Sequence, residues 1–233
     1  MISDLYWGVQ SGDIYNMYNQ YNQSNQSNNE NKKRKIIDVN NDNDHKNYQI
    51  YDPLIYTFGK EVHFSAGIDK LTIEILIKHI SAVINAYVEE YTSRGDTLEI
   101  TYVVDSPGGS CLSVLKFVDF INLTKSKHSN IKFKSVISGL AASAGTIMAC
   151  VADERLMTAN AKSMIHDLSG NNGGSYTQMM SQVEFIKDLN DSLVNIYAKK
   201  CNKTKEELGE LLKTNKWFNA EQYLEYGFVD GII

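Results

Sequence analysis

The sequence predicts an α/β fold with parallel strands around a single core, and three observations carry that prediction. Two β-branched runs, Leu98–Val104 and Ile131–Ile137, read as buried strands. Each is followed by a segment of helical character, Leu112–Leu123 after the first and the alanine-rich Gly139–Cys150 after the second. Strand, helix, strand, helix in this order implies right-handed parallel crossovers. A length of 233 residues with 42% apolar content supplies one sizeable core, so one domain is the expected count.

Along the chain, residues 1–47 hold eleven Asn and four Gln without periodic apolar content. Such a segment cannot bury enough surface to offset its ordering entropy, so it reads as a disordered arm ahead of a domain spanning 48–233. The basic cluster Lys32, Lys33, Arg34 and Lys35 within it reads as a solvated charge run. Ile50–Phe58 is apolar with interleaved aromatics and Glu61–Phe64 is β-prone, which predicts an entry segment and then a strand. From Leu71 to Tyr91 apolar residues recur at helical spacing, with Asp69 placed as the N-cap. Asp105-Ser106-Pro107-Gly108-Gly109 ends the first buried strand in a turn.

Arg155–Thr158 and Met164–His166 are further β-prone runs, and Gly170–Gly174 is a flexible stretch. A long amphipathic helix is predicted from Tyr176 to Lys200, with Met179, Val183, Ile186, Leu189, Leu193 and Tyr197 on one stripe. Thr204-x-x-Glu207 and Asn219-x-x-Gln222 are capping boxes, and Gly227 sits where a left-handed stop is wanted.

Composition narrows the function. A formal charge of −5 argues against a nucleic-acid partner. Cys111, Cys150 and Cys201 are widely spaced, which excludes a disulfide framework or zinc knuckle and fits a reducing, cytoplasmic setting. Residues Met1–Gln10 lack Lys and Arg and include Asp4, so no secretory leader is expected. The longest uncharged run, the 18 residues Ser135–Ala152, is broken by serine, threonine and glycine and reads as a buried segment rather than a membrane span. No GxxxxGK[ST] motif is present, so any ATP use falls to another chain.

Two turns follow strands and open helices: Ser106–Gly109 and Gly139–Gly145. Ligands in open α/β folds bind at the carboxyl ends of strands, so a site between these turns is expected. Gly108 and Gly109 would let backbone N–H groups approach a substrate carbonyl, and Ser143 stands at a helix start. A serine hydroxyl needs a base within reach, and of five histidines His166, at a strand end, is the best candidate. His45 lies in the arm, His79 in the long helix, and His63 and His128 near a strand and a loop. Cys111 as nucleophile is the weaker reading, for it lacks an identifiable base.

Four motifs in this order, Ser106-Pro-Gly-Gly, Gly139-Leu-Ala-Ala-Ser-Ala-Gly, Ser163-Met-Ile-His and Glu225-Tyr-Gly-Phe-Val-Asp, resemble the proteolytic subunits of ATP-dependent Clp proteases. The resemblance spans roughly residues 48–233. It implies a crotonase-like α/β fold of repeated ββα units with a protruding strand–helix handle, and a serine endopeptidase with a Ser-His-Asp triad and no cofactor or metal. It also implies homo-oligomeric heptameric rings, stacked in pairs as a tetradecamer around a closed chamber, where an AAA+ unfoldase delivers unfolded polypeptides. Residue by residue, Ser143 matches the nucleophile and His166 the base, while Gly109 and Ala144 match the backbone donors of the oxyanion hole. The family's aspartate falls on Asn215.

Asparagine can accept the Nδ1–H bond of the ring but brings no charge to an imidazolium, and the Asp to Asn change in a serine triad has cost about 10⁴ in kcat. Asp167 adjoins the base and its side chain tends to diverge. Three departures are smaller: Asp167-Leu168 replaces the family's Gln-Pro, Gly109 to Ser143 is longer than usual, and the Asn-rich arm replaces the family's short axial-loop segment. Three rivals stand beside this reading: a catalytically inactive ring subunit, a phage head-maturation protease of the same type, and a serine/lysine protease. The histidine motif argues against the last.

Overall fold

The computed structural model describes residues 6–7, 54–170 and 173–233. Most of the Asn-rich arm, His45 and the Lys32–Lys35 cluster lie outside the described residues, as do Asn171 and Asn172 of the expected flexible stretch. Of the first 47 residues only β1, Tyr6–Trp7, is described.

The hairpin β2 (Ile55–Phe58) and β3 (Glu61–Phe64) opens the sheet, and Gly59 at its turn takes φ 60. Helix α1 (Lys70–Arg94) begins at Asp69, whose carboxylate accepts the Thr72 N–H while the Thr72 hydroxyl accepts the Asp69 N–H. The N-cap is the one predicted at Asp69, the return contact from Thr72 completes it as a capping box, and Gly95 in the left-handed region ends the helix. Ile73, Leu76, Ile80, Val83 and Ile84 are its buried stripe. By length and composition α1 is the one helix among the described residues that could cross a membrane.

Strand β4 (Leu98–Ser106) leads through the Ser106–Gly109 turn and the two-residue β5 (Gly109–Ser110) into α2 (Cys111–Lys127). Strand β6 (Ile131–Ala142) then lies parallel to β4, in register from Leu98 opposite Ile131 to Val104 opposite Ile137. The continuing parallel order is β3, β4, β6, β7 (Glu154–Met157) and β10 (Gly231–Ile232), with β2 antiparallel at the edge. The β-branched runs alternate buried and outward positions along β4 and β6, which lets α1 and α2 bury their apolar stripes in the core.

One expectation is corrected here. Gly139–Ala142 was expected to be helical with the alanine-rich run, but β6 continues through it and only α3 (Ala144–Cys150) is helix. Gly139 takes φ 93, and a Cβ there would lie 2.9 Å from an Asp105 carboxylate oxygen. The same carboxylate accepts the Leu140 N–H at 3.1 Å. Leu140, Ala141 and Ala142 then pair with Lys162, Ser163 and Met164 of β8 (Lys162–Ile165), so tertiary hydrogen bonds override alanine's helix propensity.

Beyond β8 come α4 (Tyr176–Ala198), α5 (Lys205–Leu212), β9 (Lys216–Phe218) and α6 (Ala220–Glu225). The capping boxes predicted at Thr204 and Asn219 form, and Gly227 takes φ 76. Only the second half of the α4 stripe is buried, at Leu189, Leu193, Val194 and Tyr197. Arg155, 8% exposed, ties the C-terminal segment down by pairing with Asp230 and donating to the Lys200 and Gly227 carbonyls.

Candidate active site

Because β6 ends at Ala142 and α3 starts at Ala144, Ser143 is the joint between strand and helix. Its backbone, φ 57 and ψ −127, is strained for a residue with a Cβ and persists only where the surroundings over-determine it. They do so through both peptide groups. The Ser143 N–H donates to the Met164 carbonyl at 2.8 Å, and the Ser143 carbonyl accepts the Thr146 N–H at 3.0 Å and its hydroxyl at 2.5 Å. That hydroxyl also meets the buried Tyr197 hydroxyl at 2.5 Å, so α4 braces the joint. A sharp strand-to-helix turn of this kind projects its side chain away from the backbone, as in a nucleophile elbow.

The glycines of the first turn are required by close approach. A Cβ on Gly108 would lie 2.6 Å from the Ala142 carbonyl, 2.7 Å from the Ser143 Cβ and 3.0 Å from the Ala144 nitrogen. One on Gly109 would lie 2.2 Å from the Ile68 carbonyl. Ser106 holds the turn, its hydroxyl donating to the Ala66 carbonyl at 2.7 Å and accepting the Gly108 N–H at 3.2 Å. Ala66, Ile68 and Tyr197 are apolar or aromatic residues far off in sequence whose backbone or hydroxyl builds the site. Nothing in their local sequence marks them.

His166 follows β8 directly, and its Nε2 lies 2.9 Å from the Ser143 Oγ. Both side chains are buried, at 4% and 0% exposure. The β6/β8 register does this: with Ala142 opposite Met164, the residue after one strand end and the second residue after Met164 converge. Against this geometry stands a family match: the Clp protease family model matches residues 74–233.

The chain belongs to the Clp protease family. It is 34% identical over 145 residues to the ATP-dependent Clp protease proteolytic subunit of Streptococcus gordonii, covering 60% of this chain and 71% of that protein. The proteins of the same description from Leuconostoc citreum and Streptococcus agalactiae match at 34% and 32% over the same length, covering 60% of this chain and 70% and 71% of theirs. Membership makes this chain a serine endopeptidase of the Clp type, and the mixed sheet with its flanking helices is the α/β fold the resemblance implied. Neither an inactive subunit nor a phage maturation protease is favoured by these relatives.

Burial of His166 lowers its pKa from the ordinary 6.5, a shift that the charge of neighbouring Asp167 partly opposes. The ring is therefore neutral near pH 7 and able to take a proton from a hydroxyl. The ascending limb of kcat/KM on a short fluorogenic peptide is expected to have its midpoint below 6.5, the ring's ordinary value. A midpoint above it would show that a carboxylate rather than burial governs the ring. Because the unfolded chain binds the proton more tightly, this group's contribution to stability is present above pH 6.5 and is lost as pH falls below it.

The other described histidines have structural partners. The His79 Nδ1 lies 2.7 Å from the Thr57 hydroxyl, His63 stacks on Tyr56 and pairs with Glu61, and His128 caps α2. Cys111 is fully buried and its thiol is pushed up to about 12, which removes it as a thiolate nucleophile. Among the described residues no group of three or more His, Cys, Asp or Glu could hold a metal ion.

Asn215 is placed differently. It stands just before β9, exposed, at φ 49, and among the described residues no hydrogen bond joins it to His166. The backbone nevertheless brings the two positions together. In the antiparallel β8/β9 ladder Ile165 faces Lys216, and one further step sets His166 opposite Asn215.

Proposed function

We propose that Ser143 is the nucleophile of this endopeptidase and His166 its general base. The observation that carries this is the 2.9 Å contact between Ser143 Oγ and His166 Nε2 at the strained joint. Ser143 Oγ attacks the scissile carbonyl carbon as its proton passes to His166 Nε2. The Gly109 and Ala144 N–H groups receive the resulting oxyanion, each such donor being worth about 3 to 4 kcal/mol in comparable sites. Support for Gly109 comes from its partners: Ile68 bonds the Gly108 carbonyl and the Ser110 N–H, so the Gly109 N–H points away from Ile68. Ala144 opens α3, where N–H groups lack partners within the helix. His166 then returns the proton to the leaving amine, and water repeats the cycle on the acyl-serine.

Asn215 completes the triad in this reading. Its carbonyl oxygen orients the ring, the contact tightening on substrate binding as apo catalytic contacts often do. A fluorophosphonate probe on the purified chain is expected to label Ser143; a folded protein that fails to react would remove the nucleophile assignment.

The reading extends to assembly. Homo-oligomeric rings, heptameric and stacked in pairs, would receive unfolded polypeptide from an AAA+ unfoldase in the cytoplasm of the cell or of a viral host. Support comes from α4, whose first half exposes Met179, Met180 and Val183 on one side. Exposed apolar side chains grouped on a helix end are a surface a ring partner would bury. Light scattering at micromolar concentration is expected to give a multiple of the 26.3 kDa chain. Monomer alone would overturn the ring assignment.

A further inference from the structure

Gly109 presents its N–H and C=O to one edge of β5, and that edge is taken by β1 of the same chain. Ile68 occupies the other edge: its N–H donates to the Gly108 carbonyl at 2.8 Å, and its carbonyl accepts the Ser110 N–H at 2.7 Å. Successive residues of a strand direct their backbone groups to opposite sides, so the groups of Gly109 face away from Ile68. There β1 runs antiparallel, with Trp7 opposite Gly109 and Tyr6 opposite Ser110. An antiparallel pair whose backbone groups face one another exchanges two hydrogen bonds, which directs the Trp7 carbonyl at the Gly109 N–H.

That N–H is the group assigned above to the oxyanion. An extended segment with a carbonyl on it holds the place that a substrate strand and its scissile carbonyl must take, and strand addition to an open edge is a general way of binding extended peptides. We propose that Tyr6–Trp7 is a tethered occupant of the substrate edge, competing in cis with incoming polypeptide. The inference rests on the proteolytic reading of the Ser143–His166 site. A pairing of two residues on each strand is weak, so the occupant is displaceable and acts on substrate binding rather than on chemistry. Its covalent tether supplies the local concentration that so short a strand lacks in solution.

Three proteins test this: the intact chain, a chain lacking residues 1–8, and Trp7→Pro, which removes the N–H that pairs with the Gly109 carbonyl. For a strand in place nine-tenths of the time, KM on a short fluorogenic peptide is expected to fall roughly tenfold in both variants with kcat unchanged. Amide exchange at Gly109, followed in a Ser143→Ala background so that no chain is cut, is expected to quicken in both. Equal KM values, or unchanged exchange at Gly109, would overturn the inference while serine-probe labelling of all three kept the proteolytic reading. If none of the three cleaves peptide or reacts with the probe, the proteolytic reading falls and the competition falls with it.

Discussion

Ser143→Ala is expected to reduce peptide hydrolysis by on the order of 10⁶ in kcat, the loss seen when the nucleophile of a comparable triad is removed. The fold should survive the change. The strained joint is held by backbone bonds, from the Ser143 N–H to Met164 and from Thr146 to the Ser143 carbonyl, and none uses the Ser143 hydroxyl. Alanine at φ 57 is no worse placed than serine, so the melting transition should stay close to that of the parent. His166→Ala should fall to a similar floor, and the double variant should be no slower than either, because nucleophile and base act as one unit. Retention of more than about a hundredth of the parent rate in Ser143→Ala would place the hydrolytic group elsewhere.

Asn215→Asp is expected to raise activity, by up to about 10⁴ if the full effect of a triad carboxylate is recovered. The backbone accepts the change, since Asp tolerates the left-handed region as Asn does and Asn215 sits there at φ 49. Lys216 does not compete for the new charge: its Nζ donates to the Tyr226 hydroxyl at 2.7 Å and lies over the Tyr226 ring. The position is exposed, so solvent screening will hold the gain below the full figure.

A second readout separates orientation from charge. A carboxylate facing His166 favours the imidazolium, so the ascending limb of kcat/KM should move to higher pH in the variant. If both the rate and the limb are unchanged, the step that sets Asn215 opposite His166 is wrong and another acceptor orients the ring.

Much of this molecule follows from local sequence. The caps at Asp69, Thr204 and Asn219 form as read, because a capping box is a contact between residues three apart. The β-branched runs at Leu98 and Ile131 are strands and the long stripes are helices, since burial periodicity is a local property. Ser143 and His166 were legible as candidates from residue type, position after a strand, and motif order.

What the sequence by itself determined was therefore the main helices and the two buried strands, their order, and Ser143 and His166 as candidates. Tertiary structure alone decided that Gly139–Ala142 is strand, because Asp105 and β8 bind its backbone from beyond the reach of local propensity. It alone set Ser143 against His166, through a register between strands 23 residues apart at the contact. It alone brought β1 to the Gly109 edge, and left the Asn215 side chain exposed while its backbone position faces His166. Each of these depends on pairing between distant strands, and a pairing energy exists only once both partners are in place.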